Sequence, residues 1–519
     1  MFMNTAELKS MITETCDHAM EYLKNTFPAL SVEAGLSCKG ETVWSKCIGN
    51  AETGLFGQVI PVHSLSKLYT MFCCVQAQME GELDLNDPVT KYIPHLRLYY
   101  QNRNVSRLIT LRHLLSHTSG LQHEARIGNN YSHHSSLQEH IDSINGTLLL
   151  FPPSRHYAYS NLGYDMAGYI LSSVYQENFE TLMHRKIFDK LGMNHVRYSS
   201  ENQSQHPSGG LLASVASLMD GINHAIRSWE ENDFLSPALW REIQTINAVS
   251  RGQVSGYGYA VKILRAGAYP ICCTTGQYGD VYTVQMWSEK YSLGYTAAFH
   301  GFTNEVRKAL DHYDAFFNIT EKLQEYSEKN RSVVIHSSPN TYDHLIGFEG
   351  SYLSFENRMI FIDYRAGKYY LSKEGEDWEP LHFIGDNRFV AGDDEIVLER
   401  TECGRKTIYY NGNFEFGSYF FNDEIKKLPV RQGKKYPVRT YELDLGIGLS
   451  VTDTEKLILY KRASRVRLVQ TAHGLYLNHR YRLEHIRGNL YQKATGEPVV
   501  IENDLLFLGN IRYVEITQK

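Results

Sequence analysis

Residues 60–70, IPVHSLSKLYT, run directly into the apolar segment MFCCVQAQM. Ser64 and Lys67 stand three apart where this helical pattern begins, so on a helix they share one face and the lysine amine reaches the serine hydroxyl. A serine hydroxyl is a poor nucleophile at neutral pH and needs a base within hydrogen-bond reach. A desolvated lysine is such a base, and a serine at a helix N-terminus also offers its backbone N–H to a developing oxyanion. The same residues read equally as an N-cap serine followed by a solvated first-turn lysine, so the rest of the chain has to decide.

A second segment, FPPSRHYAYSNLGYDMAGYIL (residues 151–171), places Tyr159, Ser160 and Asn161 in a turn ahead of an apolar helix. A tyrosine there can relay protons between nucleophile and leaving group, and the Asn161 amide can bind a substrate carbonyl. The plainer alternative is a capping turn with one packed aromatic.

Composition narrows the partners. The chain has 519 residues, 42% hydrophobic and 21% charged, with a formal net charge of -6. Such a mild negative balance gives no footprint for nucleic acid or an anionic membrane surface. The opening residues, MFMNTAELKSMITETCDHAMEYLKN, alternate charged and apolar positions at helical spacing and lack the pattern of a signal peptide. No run approaches the roughly 18 apolar residues of a spanning helix, so a soluble, cytoplasmic protein is expected. The eight cysteines include two adjacent pairs and no CxxC, which reads as free buried thiols. His117, His123, His133, His134 and His140 cluster in sequence without an HExxH context, so a mobile active-site loop is expected rather than a metal site. No cofactor is expected.

Helical and strand patterns alternate up to about residue 335. The probable hairpin LSVEAGLSCKG–ETVWSKCIG and the late pair DVYTVQMW–YSLGYTAAF flank a helical middle, predicting an α+β domain whose antiparallel sheet is assembled from both ends. After EYSEKNRSVVIHSSPNTYDH the helical periodicity fades. Short alternating segments such as RMIFIDYR, KYYLSK, EIVLER and KTIYYNG follow, and beyond KKLPVRQGKKYPVR come LDLGIGLSVTD, KLILYKR, GLYLNHRYRLEHI, VVIENDLLFLG and RYVEIT. These predict two all-β barrel or sandwich modules. The expected division is a catalytic domain over 1–335 and β modules over 345–425 and 430–519.

Six phrases in order resolve the alternatives: IPVHSLSKLYT, EGELDLNDPVTKYIP, ITLRHLLSHTSGL, FPPSRHYAYSNLGYDMAGYIL, IFDKLGMNHVRYS and GGLLASVASL. With them the chain resembles the serine β-lactamase-like family of class C β-lactamases, D-aminopeptidases, esterases and penicillin-recognising enzymes, over roughly residues 10 to 305. The resemblance implies a helical subdomain packed on an antiparallel sheet and a catalytic group of Ser64, Lys67 and Tyr159. It also implies acyl transfer through a covalent acyl-enzyme on Ser64, with Asn161 positioning the substrate amide. Family members usually carry Lys-Thr-Gly or His-x-Gly on the strand that closes the site. The candidate here is Thr274-Thr275-Gly276 in PICCTTGQYGDVYTVQMW, which makes the Gln277 N–H the second oxyanion donor beside that of Ser64. Thr274 replaces the usual cation, which favours a substrate without a free C-terminal carboxylate.

The plan of one catalytic domain and two lipocalin-like β modules is similar to that of the D-aminopeptidases. A β-module loop that roofs the site, and a structural or homodimer-forming appendage, are both open roles. The expected function is a serine hydrolase acting on a small peptide, amide or ester. Its alternatives are transfer to an amine or alcohol acceptor, as in a transpeptidase, cyclase or acyltransferase, and a silent binding protein or sensor.

Overall fold

The computed structural model describes residues 5–49, 57–100, 103–125, 127–128, 135–155, 157–199, 203–231, 233–245, 256–266, 269–313, 315–328, 347–354, 359–365, 368–373, 378–385, 388–391, 394–400, 406–411, 418–422, 438–443, 465–471, 474–477, 481–487, 490–492, 498–502, 505–508 and 511–515. The chain divides into two compact units. One comprises Met1–Asp87, Tyr164–Ala248 and Val254–Ile335; the other comprises Pro88–Gly163, Val249–Gln253 and His336–Lys519.

The first unit is built on a seven-stranded antiparallel sheet, ordered Glu41–Ile48, Ser31–Cys38, Leu293–His300, Val281–Ser288, Tyr269–Tyr278, Lys262–Ala266 and Gly256–Tyr257. The N-terminal hairpin joins the late strand pair through Ser31↔His300 to Cys38↔Leu293, so the sheet is assembled from both ends of the sequence as expected. Strand residues Val32, Ala34 and Leu36 bury one sheet face against Ile12, Cys16, Ala19, Met20 and Leu23 of the helix Thr5–Thr26. That spacing of three and four is the stripe of a helix with one covered face. The opposite face receives the helix Val215–Glu231, whose Met219 meets Gly35. The helix Ser66–Met79 is buried from Ser66 to Ala77, so its whole circumference is packed. A helix enclosed in this way holds its N-terminal turn in one place.

In the second unit, the segment before Gly163 contains short helices at Leu111–Leu115 and Leu137–Asp142, each opened by a capping box, Thr110 with His113 and Ser136 with Glu139. The β-rich part begins with a nine-stranded sheet, ordered Glu379–Pro380, Lys368–Lys373, Met359–Arg365, Gly350–Ser354, Ser418–Asn422, Lys406–Asn411, Asp394–Arg400, Arg388–Ala391 and His382–Gly385. Alternate residues Ile360, Ile362, Tyr369, Leu371, Ile396 and Leu398 fill its core.

This sheet stays open, which corrects the barrel expected there. Its two edges are consecutive in sequence, yet one is a two-residue strand ending in Pro380, which has no N–H to give, and the other is interrupted by a register shift between Phe383 and Gly385. Further along, Val438–Leu443 pairs with both Arg465–Thr471 and the last strand, Ile511–Glu515, so eight antiparallel strands follow one another in a ring of pairings. The segment KLILYKR, most of LDLGIGLSVTD and most of both linker stretches lie outside the described residues. Among the described residues no helix is long and apolar enough to cross a membrane.

Candidate active site

The first half of the site is the turn that leads into the buried helix. His63–Leu65 forms one 3-10 turn and Ser66–Met79 continues as α-helix. Three long-range bonds fix the turn: Val62 N donates to Leu211 O at 3.0 Å, Thr283 Oγ1 donates to Val62 O at 3.0 Å, and Leu211 N donates to Ser66 Oγ at 3.1 Å. Ser66 Oγ in turn donates to His63 O at 2.6 Å. His63 adopts φ +49°, a left-handed conformation that costs a side-chain-bearing residue on the order of 1 kcal/mol or more. Burial, followed by the neighbouring Lys67 charge, pushes its imidazole down to about 4, so His63 is neutral at pH 7.

Lys67 is 1% exposed. Its Nζ donates to Ser64 Oγ at 3.1 Å and to the carbonyl of Ser208 at 2.7 Å, and it lies 5.8 Å from the centre of the Tyr164 ring. The Ser208 carbonyl is itself held: Ser208 N donates to the buried Asp165 carboxylate at 3.1 Å, and Thr70 Oγ1 donates to the preceding Pro207 carbonyl at 2.7 Å. The lysine head is therefore aimed at Ser64 by a carbonyl on the turn His206–Gly209. Sequence reading missed Ser208 and Asp165. The lone acid in the apolar run NLGYDMAGYIL was the available signal, because a buried carboxylate needs partners.

Strand Tyr269–Tyr278 runs beside this turn, and Gly276 is where the two backbones meet. A Cβ on Gly276 would lie 2.0 Å from Val62 O. Glycine is required by this contact, and so Gly276→Ala is expected to lower stability by about 2 kcal/mol or more and to cut turnover about 100-fold by displacing the Ser64 turn. Thermal unfolding and ester kinetics of the variant measure both effects. Thr274, on the same side of the strand, is 5% exposed and donates its hydroxyl to Ala260 O at 2.8 Å, so it anchors the neighbouring chain. The Gln277 side chain accepts from Arg307 Nη2, and the backbone of Gln277 pairs with Tyr282.

The other sequence-derived residues, Tyr159 and Asn161, belong to the second unit, where two of the six phrases are stitched together. Ala158 N donates to His117 O at 2.9 Å, Ser160 N to His117 Nδ1 at 3.1 Å, Ser160 Oγ to Gln122 O at 2.6 Å, and Asn161 N to His123 O at 2.9 Å. Gly120, at φ +76°, passes so close that a Cβ would lie 2.1 Å from Phe151 O. The Tyr159 ring sits 4.4 Å from the ring centre of His117 and 5.7 Å from that of His123. His117 is fully buried, and its Nδ1 accepts the Ser160 N–H, which fixes the neutral ring with its proton on Nε2. Asn161 Nδ2 donates to Glu124 Oε1 at 2.7 Å. Glu124, 3% exposed, was not singled out from the sequence.

His140 Nδ1 donates to Ile127 O at 2.7 Å, while His133 and His134 lie outside the described residues. Among the described residues no three metal-ligating side chains come together. One pair imitates a nucleophile and base: Ser154 Oγ lies 2.6 Å from His113 Nε2, with Ser154 at φ +69°. His113 Nδ1 accepts the Thr110 N–H at 3.1 Å, so the ring proton sits on Nε2 and is donated to Ser154. That tautomer cannot take the serine proton. Burial pushes the Cys73 thiol up to about 12, which leaves it protonated and unreactive.

An antiparallel α/β domain with a buried lysine bonded to a serine one helical turn away defines the class of serine–lysine folds. Residues 31–219 match the family model described as Beta-lactamase, and this part of the chain is similar to the serine β-lactamase family. Protein flp of Staphylococcus aureus is 28% identical over 151 residues, 29% of this chain and 30% of that protein, so the match spans less than a third of the relative. Beta-lactamase-like protein 4 of Dictyostelium discoideum is 27% identical over 162 residues, 29% of this chain and 28% of that protein. The solved structure of SurE with D-Leu is similar over 79% of this chain and 99% of that one, with a TM-score of 0.56 and 18% identity. The β-lactamase/D-alanine carboxypeptidase from Yersinia pestis, complexed with citrate, covers 62% of this chain and 100% of its own at a TM-score of 0.50 and 20% identity. At these identities the likeness to the solved structures is one of fold.

Proposed function

We propose that this protein is a serine hydrolase that forms an acyl-enzyme on Ser64 and cleaves a small peptide, amide or ester. The observation that carries the reading is the buried Lys67 amine, 3.1 Å from Ser64 Oγ and held there by the Ser208 carbonyl. Ser64 Oγ bonds the substrate carbonyl carbon while its proton passes to the Lys67 amine acting as base, with Tyr159 sharing the relay. The carbonyl oxygen takes the negative charge and is met by the N–H groups of Ser64 and Gln277. The tetrahedral intermediate then expels the leaving amine or alcohol, which takes the relayed proton. Water repeats the sequence on the acyl-enzyme and releases the acid. Asn161 and Gly276 shape the acyl side of the site, and Thr274 keeps the strand of Gly276 in place. The domain plan that goes with this reading is a catalytic domain over 1–335 followed by β modules over 345–425 and 430–519.

Acyl transfer to an amine shares the first half-reaction, and the solved structure of EstCE1, described as a hydrolase with promiscuous acyltransferase activity, has the same fold at a TM-score of 0.51. Rapid mixing with a p-nitrophenyl ester is expected to give a burst of about one p-nitrophenol per chain, which an acyl-enzyme requires. Adding glycinamide during the steady state reads the partition: free acid as the dominant product supports hydrolysis, and a dominant amide product moves the assignment to acyl transfer. Absence of a burst together with absence of turnover contradicts the acyl-enzyme.

A further inference from the structure

The two N–H groups assigned to the oxyanion belong to Ser64 and Gln277, and each has an aromatic neighbour in the chain, His63 directly before Ser64 and Tyr278 directly after Gln277. Those two rings meet, with their centres 5.3 Å apart and their planes tilted by 47°. The contact lies where the sheet gives little support. Strand Lys262–Ala266 pairs only with Tyr269–Cys273, so among the described residues Thr274–Tyr278 has a strand partner on one side alone, Val281–Ser288. The turn His63–Leu65 stands beside the other edge, where Val62 O meets Gly276 and accepts from Thr283 Oγ1 at 3.0 Å. Past Gly276 the strand runs out into a hairpin turn, with Gly279 at φ +59°. A strand end opens more readily than its centre, and His63 is the side chain that reaches this one.

His63 does so at φ +49°, a conformation that glycine adopts freely and a side chain only against strain. Burial, followed by the Lys67 charge, pushes its imidazole down to about 4, so it packs on Tyr278 as an uncharged ring. We propose that the His63 ring, pressed on Tyr278, sets the distance between the Ser64 and Gln277 N–H groups and thereby completes the oxyanion site. This rests on the acyl-enzyme reading and its two backbone donors. His63 and Tyr278 are positioning residues, because each acts through the peptide N–H beside it. The strained backbone at His63 is kept for the ring it carries: glycine would relax the turn but leave the hairpin end untied.

The test uses the full chain with p-nitrophenyl acetate and its thiono analogue, in which C=S replaces C=O. Donors spaced for an oxyanion hold the larger, weakly accepting sulfur poorly, so the ratio of the two kcat/KM values reads the oxyanion site itself. Wild type is expected to favour the oxygen ester by about 100-fold or more. His63→Gly should lower that ratio by about 5-fold or more, while the midpoint of thermal unfolding stays within about 3 °C because relief of strain offsets the lost ring. His63→Phe restores a ring and is expected to hold the ratio within about 2-fold of wild type. Tyr278→Ala removes the other half of the contact and should lower the ratio as His63→Gly does, with the double variant no worse than either alone. A ring that only stabilises the fold would slow both substrates together, and an unmoved ratio in folded His63→Gly, or in Tyr278→Ala should the glycine variant not fold, overturns the proposal. A phenylalanine variant that behaves like the glycine variant overturns it too, since the effect would then belong to the imidazole nitrogens. Labelling wild type with a fluorophosphonate separates the two levels: Ser64 labelled with the ratio unmoved in the variants overturns the role of the ring contact alone, and Ser64 unlabelled overturns the acyl-enzyme reading and this one together.

Discussion

Ser64→Ala is expected to lose ester turnover by about 10,000-fold or more while remaining folded. The loss is large because neither neighbouring serine among the described residues can take its place. Ser66, two residues on, has its Oγ committed to His63 O and Leu211 N, and Ser154 faces a histidine of the wrong tautomer. The fold is spared because Ser64 Oγ accepts from Lys67, which keeps its 2.7 Å bond to Ser208 O without it. The midpoint of thermal unfolding should stay within about 2 °C of wild type, since a half-buried hydroxyl contributes little. Turnover comparable to wild type in the alanine protein removes Ser64 as nucleophile.

Lys67→Met separates the base from the nucleophile. Methionine fills the channel of the lysine stem but can neither take the Ser64 proton nor donate to Ser208 O, so kcat/KM should fall by about 1,000-fold. Stability is expected to change by less than about 1 kcal/mol, because losing the donor to a buried carbonyl is offset by no longer enclosing an amine. The two variants differ in a second readout. Wild type should react readily with a fluorophosphonate, Lys67→Met slowly at the same serine, and Ser64→Ala at no site in this turn. A Lys67→Met protein that is labelled as fast as wild type contradicts the role of Lys67 as base.

What the sequence made legible was local. HSLSKLY reads as a nucleophile and base because a helix places residues three apart on one face, and the 3.1 Å contact is that periodicity realised. The strand pairs were legible from alternation, and their joining from both ends of the domain followed from the helical middle. What stayed hidden depends on residues far apart in the chain. Lys67 is aimed by the carbonyl of Ser208, 141 positions away, and a backbone carbonyl carries no signature in the residue type. Gly276 could be placed only by motif, and its reason, the approach of Val62 O, is a tertiary contact. Thr274 was placed on the substrate side by the same motif, yet its hydroxyl is spent on Ala260 O. Glu124 follows HTSGL closely but shows its purpose only through the amide of Asn161, 37 residues later. Closure of the first β module could not be read from alternation either, because it turns on one edge at Pro380 and one bulge after Phe383.

The most direct test of the central claim is the intact mass of the wild-type chain after incubation with a fluorophosphonate, followed by peptide mapping. One adduct per chain, located on Ser64 and absent from Ser64→Ala, is the expected result. A folded chain that takes up no label, or takes it up at another serine, contradicts the assignment of Ser64 as the activated nucleophile.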